Sequence, residues 1–134
     1  IRDSTKAALA SLSNVLSLEM KPFGIQSMVI APGMFRTNFF DGSSIQRPTS
    51  PMSVYDNTPA RGAEDYCLSN NYQQHGDPAK AAELVYQVVS SPEPMPAWLP
   101  LGKDAVKKYE KTLTRMIEAL QPYKEAASDL FVEE

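Results

Sequence analysis

The chain has 134 residues, the length of a single domain, and 43% of them are hydrophobic while 22% are charged. This balance is ordinary for a globular protein and argues against wholesale disorder. A formal net charge of −3, without a cluster of Lys and Arg, argues against nucleic-acid binding, because affinity for phosphate depends on such clusters.

Membrane insertion and export are also not expected from these residues. The apolar run from Ile25 to Ala31 is far shorter than the roughly 20 residues that cross a bilayer. A single cysteine, Cys67, cannot form an internal disulfide, which is typical of a reducing compartment. We therefore expect a cytoplasmic protein.

The first predicted unit is a helix over residues 3–21, a tight turn and a buried strand. Pro22 and Gly24 are expected to end the helix. The run Ile25–Ile30 between Gly24 and Pro32 predicts a strand covered on both faces. The apolar positions that recur at three- and four-residue spacing along the helix are Ala8, Leu9, Leu12, Val15, Leu16 and Met20.

Residues 33–76 are rich in Ser, Thr, Pro, Asn and Gly, which predicts a long functional loop with a short helix near residues 60–69. Asp77 and Pro78 then form a helix start, a capping side chain followed by proline, and the helix should reach about Ser90. Residues 97–102 predict a short strand, whose prolines favour an edge position. A final helical segment occupies residues 103–134, with an interruption at Pro122.

The runs Ser4-Thr5-Lys6-Ala7-Ala8-Leu9 and Ala31-Pro32-Gly33-Met34-Phe35-Arg36-Thr37 resemble the second catalytic stretch of classical short-chain dehydrogenases/reductases. The runs from Gly76 to Ala82 and from Leu99 to Ala105 extend the resemblance over nearly the whole chain. It implies an α/β fold: the C-terminal half of a doubly wound, Rossmann-like parallel sheet, incomplete as a stand-alone domain. Residues 1–134 would form the C-terminal part of one such domain.

In this family a tyrosine donates the proton, and a lysine four residues later supports it. Lys6 occupies the lysine position, but Arg2 stands where the tyrosine is expected, and a guanidinium keeps its proton at physiological pH. Three explanations stay open: an artificial or mis-predicted boundary, a degenerate family member, or an acid supplied from elsewhere. The abrupt start inside a motif favours truncation.

The resemblance further implies a cofactor-binding set, and the aromatic residues of the long loop suggest a substrate pocket. The expected contacts to the nicotinamide half of NADP or NAD are Lys6, Pro32, Gly33, Met34 and Thr37, with the backbone near Met34 and the Thr37 hydroxyl meeting the carboxamide or the phosphates. Phe39, Phe40 and Tyr55 are candidates for an apolar substrate pocket, although a core position beneath the loop explains each of them equally well. The single histidine, His75, gives a metal site little support, so no metal is predicted.

The six glycines never cluster into the turn that receives a dinucleotide pyrophosphate, so the adenosine half has no predicted site here. We therefore expect an oxidoreductase acting on a small-molecule carbonyl or alcohol, a homo-oligomer in its complete form and inactive as these residues alone. The alternative is a catalytically dead family remnant that acts as an oligomerisation or binding module.

Overall fold

The computed structural model describes residues 2–44 and 49–130. Residues 45–48 of the predicted loop and 131–134 of the predicted C-terminal segment lie outside the described residues. The helices are α1 (Arg2–Met20), α2 (Pro59–Ser69), α3 (Pro78–Ser90), α4 (Lys103–Leu120) and α5 (Lys124–Ser128), and the strands are β1 (Val29–Pro32) and β2 (Trp98–Leu101).

Helix α1 ends where the sequence predicts. A 3₁₀ turn over Lys21–Phe23 contains Pro22, and Gly24 follows it with φ of 70°. The Gly24 N–H donates to the Lys21 carbonyl at 3.1 Å, so the left-handed glycine closes the helix end.

The two strands pair in parallel, with Val29 opposite Trp98 and Pro32 opposite Leu101. The pairing begins where the Val29 N–H donates to the Ala97 carbonyl at 2.9 Å. The predicted strand at Ile25–Ile30 is therefore four residues early at its start, because the partner strand rather than the apolar run decides where pairing begins. Among the described residues the sheet has only these two strands, so each of them is an edge strand and the edge position expected for β2 from its prolines stays a prediction.

Helices α3 and α4 begin at clear signals. The Asp77 carboxylate accepts hydrogen bonds from the N–H groups of Ala79 at 2.9 Å and Lys80 at 3.4 Å, and Pro78 occupies the first helical turn. Gly102, with φ of 92°, precedes α4. The predicted helix near residues 60–69 is α2, and the interruption at Pro122 separates α4 from α5.

The strand predicted to be covered on both faces is not covered by the described elements. The buried hydrophobic side chains among the described residues are those of Ala10, Leu101 and Ala105. Ile30 of β1 is exposed, and so is most of the predicted apolar stripe of α1; its Leu12 is 61% exposed. The pattern identifies which side chains favour burial, but the described elements do not cover them. None of the described helices combines the length and apolarity that a bilayer span requires.

Candidate functional site

The carboxyl ends of β1 and β2 meet at one edge of the sheet, where open α/β folds bind ligands. The Gly33 N–H donates to the Leu101 carbonyl at 2.8 Å and so continues the pairing one residue past β1. The next amide, that of Met34, turns to the start of α4 and donates to Asp104 Oδ2 at 2.7 Å. The turn Pro32–Gly33–Met34 is therefore fixed by two neighbouring segments.

Two glycines leave room for the Asp104 carboxylate. A Cβ added at Gly33 would collide with that carboxylate, and one added at Gly102 would lie 2.9 Å from Asp104 Oδ1. A carboxylate at this place therefore requires the absence of a side chain on both sides of it.

A second crossing joins the loop after β1 to the segment before α3. Gly76 pairs with Phe35 in a parallel bridge, its N–H donates to the Met34 carbonyl at 3.2 Å, and its carbonyl accepts from the Arg36 N–H at 2.9 Å. Arg36 Nε also donates to the Gln74 carbonyl at 3.1 Å. A Cβ at Gly76 would lie 2.5 Å from the Met34 carbonyl oxygen, so only glycine fits without movement of the backbone.

Thr37 caps the short 3₁₀ turn Asn38–Phe40. Its Oγ1 accepts a hydrogen bond from the Phe39 N–H at 3.3 Å. A hydroxyl that accepts one bond still has its own proton to donate, so Thr37 retains a donor for a ligand oxygen.

A cavity of about 330 Å³ is lined by most of the site residues that the sequence predicts. Phe39 and Phe40 lie on its wall with their ring centroids 5.7 Å apart. Its described lining consists of Pro32, Gly33, Met34, Phe35, Thr37, Phe39, Phe40 and Gln74. Tyr55 is exposed and lines neither this cavity nor the larger one beside it.

The larger cavity, of about 650 Å³, lies among the starts of α3 and α4, helix α2 and the segment before Gly76. Its wall mixes charges of both signs: Lys80, Lys103 and Lys107 with Asp77 and Asp104. The 5%-exposed side chain of Gln74 lines both cavities, and its Oε1 has no hydrogen-bond partner among the described residues. Sequence reasoning missed Asp104 and Gln74 as site residues, although the Gly102-Lys103-Asp104 run was visible as a motif.

Lys6 lies in α1 with its side chain exposed, and the side chain of Arg2 lies outside the part of the chain that the structure describes. The structure brings Pro32, Gly33, Met34, Thr37, Phe39 and Phe40 together in one cavity lining, which does not include Lys6. The proposed role of Lys6 at a nicotinamide ribose stays a prediction.

The loop beyond Thr37 contains a titratable turn. Hydrogen bonds from the Ser43 hydroxyl at 2.6 Å and the Ser43 N–H at 2.9 Å lower the pKa of Asp41 below its ordinary value of 3.8. Among residues 2–44 and 49–130, no group of three or more His, Cys, Asp or Glu side chains is placed so that it could hold a metal ion.

Comparison with known proteins shows what this chain is similar to. A crystal structure of a short-chain dehydrogenase from Streptomyces avermitilis matches with a TM-score of 0.74 and 30% identity, over 96% of this chain. Oxidoreductase BOA17 of Botryotinia fuckeliana is 38% identical over 104 residues, which are 78% of this chain. The family is that of the short-chain dehydrogenases/reductases.

The uncharacterised oxidoreductase YusZ of Bacillus subtilis is 28% identical to this short-chain dehydrogenase/reductase over 108 residues, which are 75% of the present chain. The match spans 36% of YusZ, 36% of BOA17 and 45% of the crystallised chain. The Rossmann-like fold is accordingly present in part, as its two-stranded parallel sheet indicates. No protein-family model matches the chain.

Proposed function

We propose that this protein is an oxidoreductase that uses a nicotinamide dinucleotide, NAD or NADP, to interconvert a small-molecule carbonyl and its alcohol. The observation that supports this most strongly is the glycine turn at the carboxyl ends of two parallel strands, with Thr37 on the wall of the adjoining 330 Å³ cavity. The similarity to a crystallised short-chain dehydrogenase supports oxidation and reduction as the reaction type.

The residues present fit the nicotinamide half of the cofactor. The Asp104 carboxylate fills the space that a Gly33 side chain would take, so Gly33 contributes through its place in the turn that lines the cavity. The Thr37 hydroxyl has a proton to donate to a carboxamide or phosphate oxygen. The cavity volume lies at the small end of the range of about 300–1,000 Å³ for small-molecule sites. The backbone groups of Met34 are engaged by Asp104 and Gly76, so we assign Met34's contact to its side chain, which is 39% exposed.

Lys6 and Arg2 have different proposed roles. The nicotinamide supplies hydride transfer when it is bound, and the Lys6 ammonium would hold its ribose and favour an anionic oxygen nearby. Arg2 cannot deliver the proton that a carbonyl needs, because guanidinium does not deprotonate in this pH range. We therefore propose that Lys6 and the residues of the glycine turn position the nicotinamide end, and that they do not complete the reaction by themselves.

The substrate side is assigned to Phe39 and Phe40, which present tilted rings to the cavity that contains the turn. Tyr55 is exposed and outside that lining, so its assignment to the substrate side rests on its place in the loop alone. An apolar carbonyl or alcohol is the substrate class that such a wall favours.

A second candidate function, association without catalysis, has its own supporting observation. On α4 the side chains of Leu113, Ile117 and Leu120 are exposed at three- and four-residue spacing. We propose homo-oligomer formation of the complete protein under either function, and a cytoplasmic location on the basis of the single cysteine.

The test is a titration of the isotope-labelled chain with reduced nicotinamide mononucleotide and, separately, with NADPH. Both ligands should shift the amide resonances of Gly33 and Thr37 with similar millimolar affinity, because the adenosine half has no site here. Thr37→Val, which keeps the shape and loses the hydroxyl, should weaken both titrations severalfold, while Thr112→Val on exposed α4 should leave them unchanged.

Absence of any shift at residues 33–37 would exclude the proposed site. Submicromolar affinity for NADPH, with much weaker binding of the mononucleotide, would contradict the statement that these residues hold only the nicotinamide end.

A further inference from the structure

We propose that Asp104 is a positioning residue that fixes the Pro32–Gly33–Met34 turn from the start of α4. The role in nicotinamide binding rests on the function proposed above. The role in holding the turn rests on geometry alone.

The first observation is a hydrogen bond between residues 70 positions apart, from the Met34 N–H to Asp104 Oδ2 at 2.7 Å. A charged acceptor makes this bond stronger than a neutral backbone pair. The adjacent Gly33 N–H donates to Leu101, so β2 and α4 each hold one successive amide of the turn. Without Asp104, the Met34 amide would lose the partner that turns it from the strand direction.

The second observation is the space that two glycines leave around the carboxylate. A Cβ at Gly33 would overlap Asp104, and Gly102 combines a Cβ distance of 2.9 Å to Oδ1 with a φ of 92° that side-chain-bearing residues rarely adopt. Gly33, Met34 and Gly102 are thus all matched to the Asp104 carboxylate, two of them by leaving space for it and one by donating a hydrogen bond to it.

An ordinary role for an acidic residue in a first helical turn is to interact with the helix dipole. Asp104 has this position in α4, but its Oδ2 accepts from another segment. The dipole explains why a carboxylate is favourable there, and the Met34 bond explains why it is directed at the turn. The bond thereby connects helix α4 to the wall of the 330 Å³ cavity, because Gly33 and Met34 line that cavity.

The experiment measures amide hydrogen exchange of Met34 relative to Arg36 in Asp104→Ala, Asp104→Asn and the control Glu110→Gln. Arg36 donates to Gly76 and reports on the same loop without touching Asp104. Neither amide is a sequence neighbour of residue 104, so their intrinsic exchange rates do not change. Glu110 lies exposed on the same helix, and its substitution removes the same charge.

The Met34-to-Arg36 rate ratio should rise about fivefold in Asp104→Ala, as expected for loss of a hydrogen bond worth about 1 kcal/mol. It should rise less in Asp104→Asn, whose amide oxygen still accepts, and stay constant in Glu110→Gln. An unchanged ratio in both Asp104 variants overturns the proposal. A uniform acceleration of all amides also leaves the ratio unchanged and has the same meaning. If the alanine variant does not fold, the asparagine ratio decides alone.

The second readout is the dissociation constant of reduced nicotinamide mononucleotide, followed at the Thr37 amide. It should increase about threefold in Asp104→Ala and remain constant in Glu110→Gln. A raised exchange ratio with unchanged affinity would refute the positioning of the cofactor site. If the unaltered chain binds no mononucleotide at all, the proposed function fails, while the exchange ratio still decides whether Asp104 holds the turn.

Discussion

Two regions of this molecule are stabilised in different ways. At the strand-end junction, which comprises residues 32–37, 74–77 and 101–105, hydrogen bonds join segments 38 to 70 residues apart. Helix α1 is held mainly by its own backbone, with Ala10 as its buried apolar side chain and a 2.7 Å contact between Ser13 Oγ and Ser27 Oγ. The glycine turn is thus defined by tertiary contacts within these residues, whereas the helix that contains Lys6 is not.

The difference matters for the proposed chemistry, because the two regions would have to act together on one nicotinamide. Long-range contacts fix a position relative to the rest of the fold, while local ones fix only a conformation. We infer that the turn is preorganised by the described contacts and that the position of Lys6 depends on burial of the exposed stripe of α1.

Leucine-to-alanine substitutions test this contrast with the largest expected effect. Leu101 is 4% exposed at the junction, and Leu101→Ala should lower the free energy of unfolding by about 3 kcal/mol. Leu12 is 61% exposed on α1, and Leu12→Ala should cost less than about 1 kcal/mol. Urea unfolding followed by circular dichroism measures both. Equal losses would mean that the apolar face of α1 is covered in solution, and the contrast between the regions would disappear.

Glycine substitutions sharpen the comparison within the same type of mutation. In Gly76→Ala the new Cβ meets the Met34 carbonyl and the Phe35 ring, so stability should fall by about 2 kcal/mol. In Gly62→Ala, inside α2, the Cβ meets nothing within 4 Å, and the helix should gain about 0.5–1 kcal/mol. Thermal unfolding midpoints should therefore move in opposite directions. A Gly76→Ala protein as stable as the unaltered one would show that the bridge to Phe35 is not formed.

The sequence predicted the features of this fold that depend on neighbouring residues. Asp77 and Pro78 start α3, and Gly24 closes the end of α1, because capping and left-handed turns involve only a few adjacent positions. It did not predict the start of β1 or the bond from Met34 to Asp104. Both depend on a partner about 70 positions away, which no local pattern specifies.

The candidate site divides along the same line. The turn residues were identified by resemblance and the two phenylalanines from their place in the long loop, and they line one cavity. The buried Gln74 and the carboxylate of Asp104 were missed, because burial and long-range pairing give no signal in composition or spacing. Tyr55 was proposed from its loop alone, and nothing in the sequence indicated that it would lie outside both cavities.

The smallest expected effect concerns Asp41, whose partner Ser43 is two residues away. Ser43→Ala removes the hydroxyl that contributes most to lowering the pKa of Asp41, so this pKa should rise towards 3.8, as carboxyl NMR would show. Because the folded-state pKa is lowered, the contribution to stability is complete above the unfolded value and is lost as the pH falls through the folded one. Asp41 is half-buried at the surface and its hydrogen bonds lie within one exposed turn, so water screens its charge and the unfolding midpoint at neutral pH should hardly change. A marked loss of stability of Ser43→Ala at neutral pH would show that this local turn supports the strand-end junction. Local and long-range contacts would then not be separate.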